Sequence, residues 1–110
     1  MIEIWHNPRC SKSRQALAIL EAKGVAHQVR LYLKDAPSEA ELRTALKALG
    51  KTAAQVVRRG EDGFVDGDED ALIAQMVANP ILIERPIVIA GERAVLGRPP
   101  ENVLDLIEAV

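Results

Sequence analysis

His6-Asn7-Pro8-Arg9-Cys10-Ser11-Lys12-Ser13-Arg14 concentrates the residue types best suited to chemistry, and it holds the only cysteine of the chain. The thiolate, not the thiol, is the nucleophile, and a free cysteine titrates near pH ~8.5. Arg9, Lys12 and Arg14 lie within a turn or so of Cys10, and positive neighbours favour the thiolate. His6 strengthens that effect if it is protonated or donates a hydrogen bond. The helical pattern that follows starts near Ser11. Cys10 therefore falls at a helix N-terminus, where unpaired amides also favour an anion. A lone cysteine is more often a small buried hydrophobe, and a lone cation is usually just solvated. The clustering makes this loop a candidate nucleophile and anion site.

Familiar spacings narrow the chemistry. A redox dithiol needs a second cysteine three positions on, where Ser13 stands. Any disulfide on Cys10 must then be mixed, and an outside thiol must resolve it. A phosphatase-type cysteine loop needs C-x5-R with glycine, whereas Arg14 gives C-x3-R without one. One cysteine also cannot build a zinc cluster of several thiolates. Three further arginines sit beside chain breakers or helix ends. Arg58 ends a short helix, with Arg59 as its rival, Arg85 precedes Pro86, and Arg98 precedes Pro99. A residue before proline is biased to an extended backbone, and a guanidinium fork suits a tetrahedral oxyanion. The bland alternative for each is a surface salt bridge. Pro86 is a candidate for the cis form.

The elements that must position these residues follow from periodicity. Met1 to His6 is a short strand with Ile2 and Ile4 on one face, ended by Asn7-Pro8. Ser11 to Lys23 is helical, burying Ala16, Leu17, Ile19 and Leu20. His27 to Leu33 alternates, with Val29, Leu31 and Leu33 pointing one way and Tyr32 the other. Ser38 and Glu41 form a capping box for a helix that Gly50 closes. Thr52 with Gln55 opens a short helix ending near Arg58 and Arg59, and Asp68 suits the start of a helix that Asn79-Pro80 breaks. Ile87 to Ala90 and Arg93 to Leu96 make a hairpin about Gly91-Glu92. Glu101 to Val110 is a last helix with Val103, Leu104 and Ile107 inward. The order is β-α-β, a helical insert, then β-β-α, which predicts one mixed sheet covered by helices.

Composition removes other classes. Fourteen Lys and Arg against sixteen Asp and Glu leave a net charge of −2, so no basic excess advertises nucleic acid or an anionic membrane. Trp5, Tyr32 and Phe64 are the only aromatics, too few for a base-stacking platform. No apolar run approaches the ~18 residues that span a bilayer. No basic segment followed by an apolar one opens the chain, so the cytoplasm is the expected compartment.

Three segments in order carry a family resemblance: His6 to Arg14, Asn79-Pro80-Ile81-Leu82-Ile83-Glu84-Arg85-Pro86-Ile87-Val88, and Leu96-Gly97-Arg98-Pro99-Pro100-Glu101-Asn102-Val103-Leu104-Asp105. Together they resemble arsenate reductases of the glutathione- and glutaredoxin-coupled class, and the likeness runs nearly end to end. The resemblance implies a single thioredoxin-like domain over 1–110, with a helical insertion at about 38–83 and Pro86 as a cis proline facing the cysteine. It implies that the Cys10 thiolate attacks arsenate, that His6 lowers the thiol pKa, and that Arg58, Arg85 and Arg98 hold the oxyanion. Ser13, Arg14 and Pro86 are then supporting residues. No bound cofactor is implied. Glutathione is a co-substrate and glutaredoxin the partner that resolves the mixed disulfide as arsenite forms. The same fold resembles Spx-type regulators that bind RNA polymerase, but those usually carry C-x-x-C, and Ser13 argues against such a switch. A thiol-transfer protein acting on glutathione mixed disulfides is the other alternative.

Overall fold

Alternation along the first strand, β1 (Ile2–Trp5), sorts the interior into two layers. Ile2 and Ile4 face one side of the sheet, and Trp5 faces the other. On the first side, helices α1 (Ser11–Ala22) and α5 (Asn102–Glu108) bury Ala16, Leu20, Val103 and Leu106 against Ile4 and Val88. On the second, α2 (Glu39–Leu49), α3 (Ala53–Val56), α4 (Glu69–Ala78) and a 3-10 turn at Pro80–Leu82 bury Leu42, Val56, Met76 and Leu82 with Trp5 and Ile87. Each large apolar side chain so buried stabilises the fold by roughly 1.5–3 kcal/mol. This arrangement is a computed structural model that describes residues 1–108. The end of the expected last helix, Ala109 and Val110, lies outside the described residues.

Local signals set the helix ends. Ser38 Oγ accepts from the Glu41 N–H at 3.1 Å, and Glu41 Oε1 accepts from the Ser38 N–H at 2.9 Å. Gly50 closes α2 at φ +67°, a left-handed conformation that side chains with a Cβ resist. The Asp68 carboxylate accepts from the Ala71 N–H at 2.9 Å and caps α4.

The sheet is mixed, in the order β2-β1-β3-β4, with β2 at His27–Arg30, β3 at Ile87–Ala90 and β4 at Arg93–Leu96. β1 runs parallel to β2, with Trp5 opposite Arg30, and antiparallel to β3, with Trp5 opposite Ile87. β3 and β4 pair antiparallel, with Ile87 opposite Leu96. This register has a functional consequence. β1, β2 and β4 end at the edge of the sheet where β3 begins, so the Cys10 loop, Arg85-Pro86 and Gly97-Arg98 all emerge there. The element order is the thioredoxin-like one, with α2, α3 and α4 inserted between β2 and β3. Among the described residues, no helix is long and apolar enough to cross a membrane.

Three details differ from the sequence expectation. The strand from His27 stops at Arg30, because the Lys34 and Asp35 N–H groups both turn back to the Leu31 carbonyl. Val29, Leu31 and Leu33 are exposed, at 45%, 39% and 40%, while Tyr32 is fully buried. Alternation still separates the two sets, since Tyr32 packs with Trp5 in the second layer, and β2, as an edge strand, leaves the other side uncovered. Second, α3 ends at Val56, and Val57 forms an isolated bridge with Ile83, so Arg58 and Arg59 lie beyond the helix. Third, α5 buries Leu106 beside Val103, leaving Leu104 and Ile107 half-buried.

Candidate active site

Cys10 is the N-cap of α1. Its backbone is extended, its N–H donates to the Asn7 carbonyl at 3.0 Å, and its own carbonyl accepts from the Arg14 N–H at 3.0 Å. The side chain is half-buried, so the sulfur stays within reach of a small reagent.

The loop around it is held by one hydroxyl. Ser13 is fully buried, and its Oγ accepts from the Asn7 N–H at 3.0 Å while lying 2.6 Å from His6 Nδ1. Asn7 Oδ1 accepts from the Arg9 N–H at 3.0 Å, and Arg14 Nη1 donates to the Pro8 carbonyl at 2.8 Å. Ser13 and Arg14 thus shape the loop that presents the cysteine. His6 is buried, and burial holds its pKa below the usual 6.5, with the Arg14 charge helping and Glu21 opposing. The imidazole is therefore neutral near pH 7. Its Nδ1 is engaged with Ser13, and burial disfavours the cationic form of the ring.

Arg85 and Arg98 come from the second and third motifs, and Arg58 from the segment after α3. The Arg58 N–H donates to the Leu82 carbonyl at 2.7 Å, and the Glu84 N–H donates to the Val56 carbonyl at 2.9 Å, lacing the end of α3 to the approach to β3. Arg58 Nη1 donates to Glu61 Oε2 at 2.6 Å, and its Nε lies 3.8 Å from Glu84 Oε1. Arg98 Nη1 donates to the Arg85 carbonyl at 3.1 Å and lies 3.5 Å from Glu84 Oε1. Arg85 differs from both, because its Nε and Nη1 are buried and have no hydrogen-bond partner among the described residues. Buried unpaired donors are costly, and more so when charged. Arg59 turns elsewhere, with Nη1 3.3 Å from Asp66 and its guanidinium 5.3 Å from the Phe64 ring centroid. Of the two rivals, Arg58 is the one in the cluster.

Gly97 shows how closely the segments meet. A Cβ on it would come within 2.7 Å of Pro86 Cγ and 3.3 Å of Ala16 Cβ, so only glycine lets the end of β4 sit between Pro86 and α1. The Arg85–Pro86 and Arg98–Pro99 peptide bonds are both cis. Asn102 Nδ2 donates to the carbonyls of Leu96 and Arg98, at 3.1 and 3.3 Å, and pins the Arg98 loop.

Tyr32 is a further buried polar residue, packed in the same layer as Trp5 and Ile83. Its hydroxyl is buried without a full hydrogen bond. Burial first, then the charge of Cys10, push its pKa well up, while Arg58 and the nearby Asn7 side chain pull the other way. Cys10, Arg58, Glu84 and Asn7 all act electrically on this one phenol. Sequence reasoning gave Tyr32 no role, because alternation set it on the other face from Leu31 and Leu33 without saying which face is buried. Glu61, Glu84 and Asn102 were missed too. Glu84 has one local signal, its place directly before Arg85.

A groove of about 730 Å³ lies elsewhere, lined by Glu3, Trp5, Ala45, Ile89 and Glu92 among others. It contains neither the cysteine loop nor the arginines, and it opens beside the Gly91-Glu92 turn at the other end of β3. No group of three or more potential metal ligands occurs among the described residues.

The ArsC family model matches residues 5–106. The chain is 46% identical to the uncharacterized protein YfgD of Escherichia coli (strain K12), covering 96% of each chain. It is 43% identical to the arsenate reductase of Neisseria meningitidis serogroup B, covering 93% of this chain and 94% of that one. The solved structure of the arsenate reductase from Vibrio cholerae matches with a TM-score of 0.87 at 44% identity, over 94% of this chain and 95% of that one. The family match spans Cys10, Arg58, Arg85 and Arg98 together with the sheet that gathers them, and the chain belongs to the ArsC family.

Proposed function

We propose that this protein reduces arsenate to arsenite through Cys10, drawing electrons from glutathione and glutaredoxin. The observation that carries this reading is Arg85, a half-buried residue whose Nε and Nη1 are buried and unpaired among the described residues, at the sheet edge that also presents the half-buried Cys10. A tetrahedral oxyanion satisfies such donors through charge-assisted hydrogen bonds, with Arg58 and Arg98 beside it.

The steps balance as follows. The Cys10 sulfur attacks arsenic, a sulfur–arsenic bond forms, and one oxygen of arsenate leaves as water after protonation. A glutathione thiolate then attacks the Cys10 sulfur. The new disulfide takes the place of the sulfur–arsenic bond, whose electron pair passes to arsenic and yields arsenite. A glutaredoxin thiolate attacks the glutathione sulfur and returns Cys10 as a thiolate. Ser13 stands where an internal resolving thiol would be, so the second thiol comes from outside.

Arsenate-dependent oxidation of glutathione, with glutaredoxin present, tests the proposal. We expect turnover that Cys10→Ser abolishes. A folded wild-type protein no faster than Cys10→Ser refutes it. Reduction of a glutathione mixed disulfide without any arsenate requirement points to the thiol-transfer alternative instead.

A further inference from the structure

Glu84 places a carboxylate inside a cluster otherwise suited to anions. Its Oε1 lies 3.8 Å from Arg58 Nε and 3.5 Å from Arg98 Nη1, and accepts from the Arg85 backbone N–H at 3.3 Å. These contacts are long beside the ~2.7–2.9 Å of a tight charged hydrogen bond. Arg58 makes its tight bond to Glu61 instead, at 2.6 Å. Glu84 is thus held by no tight charged hydrogen bond, and its Oε2 accepts no hydrogen bond among the described residues.

Guanidinium groups only donate hydrogen bonds. An oxyanion that still carries an O–H also needs an acceptor; of the two carboxylates in the cluster, Glu61 is taken by Arg58 at 2.6 Å and Glu84 is the loosely held one. An anion of the same shape and charge without a proton meets the same carboxylate as a repulsive neighbour. We infer that Glu84 is a specificity-determining residue, accepting a hydrogen bond from the O–H of a protonated tetrahedral oxyanion such as hydrogen arsenate or hydrogen phosphate and disfavouring fully deprotonated ones such as sulfate. This rests on the arginine cluster being the oxyanion site.

Hydrogen phosphate and sulfate at mildly alkaline pH provide the test, because both are then mainly dianions and only one carries a proton. Dissociation constants come from NMR titration of the arginine Nε–H signals in the full chain, at constant ionic strength. Phosphate should bind wild type about tenfold more tightly than sulfate or better, as one hydrogen bond to a charged group implies. In Glu84→Gln, whose amide can donate or accept, and in Glu84→Met, which does neither, that ratio should fall to within about threefold. Equal binding of the two anions to wild type overturns the inference, as does an unchanged ratio in both variants. If neither anion moves the arginine signals, the oxyanion site itself is wrong and the proposed function falls with it.

Discussion

The loop that carries Cys10 and the cluster around Arg85 meet at one end of the sheet, yet they are built in opposite ways. In the loop, donors and acceptors are matched: Ser13 serves both His6 and Asn7, Asn7 serves Arg9, and Arg14 serves Pro8. In the cluster, Arg85 holds buried donors with no partner, and Arg58 and Arg98 share a loosely held carboxylate. A satisfied network fixes geometry, whereas an unsatisfied one carries a stored preference for whatever completes it. The loop is a rigid mount for the sulfur, and the cluster holds positive charge suited to an anion.

That contrast predicts effects of different kind. Arg85→Met keeps the aliphatic stem and removes the charge. Oxyanion affinity should fall by about 10–150-fold, the worth of hydrogen bonds to a charged group. Thermal stability without anion should hold or rise, because a buried unpaired charge is gone. Ser13→Ala should act the other way. It leaves the Asn7 N–H and His6 Nδ1 without their partner and should cost about 1–3 kcal/mol in denaturant unfolding. If Arg85→Met destabilises the anion-free protein as much as Ser13→Ala does, the two regions are not built differently and the comparison fails.

The same contrast explains what was legible before any coordinates. The Ser38–Glu41 capping box, the Asp68 cap and the two-residue hairpin at Gly91-Glu92 are decided by neighbours a few residues apart, and they appear as read. Cys10 at the start of α1 is local in the same sense. Arg58, Arg85 and Arg98 are far apart in sequence, and the strand register together with the Val57–Ile83 bridge is what gathers them. Their chemistry alone did not favour them over ordinary surface charges; the family resemblance supplied the signal, and only Arg85 and Arg98 lie within its matched motifs. Tyr32 was lost for a physical reason: alternation separates two faces but does not say which one is covered at an edge strand. Glu84 was lost because its part depends on which guanidiniums surround it, something no spacing rule encodes.

His6 gives a gentler way to sharpen the comparison, through pH. Its pKa in the folded protein lies below 6.5, chiefly because burial disfavours the charged ring. In the unfolded chain that ring titrates near its ordinary value, so below about 6.5 the unfolded state binds the extra proton first. Stability from this group is therefore complete above that pH and falls as pH drops toward the lower folded value. His6→Asn should flatten the stability profile across this window, and equilibrium denaturation at a series of pH values reads the difference. Carboxylates titrate lower, so their losses come later in the acid limb and do not mask it. A wild-type profile with the same slope as His6→Asn through the window would mean that the imbedded ring is not held neutral. The loop would then have to accommodate a charge that its single hydroxyl partner does not balance.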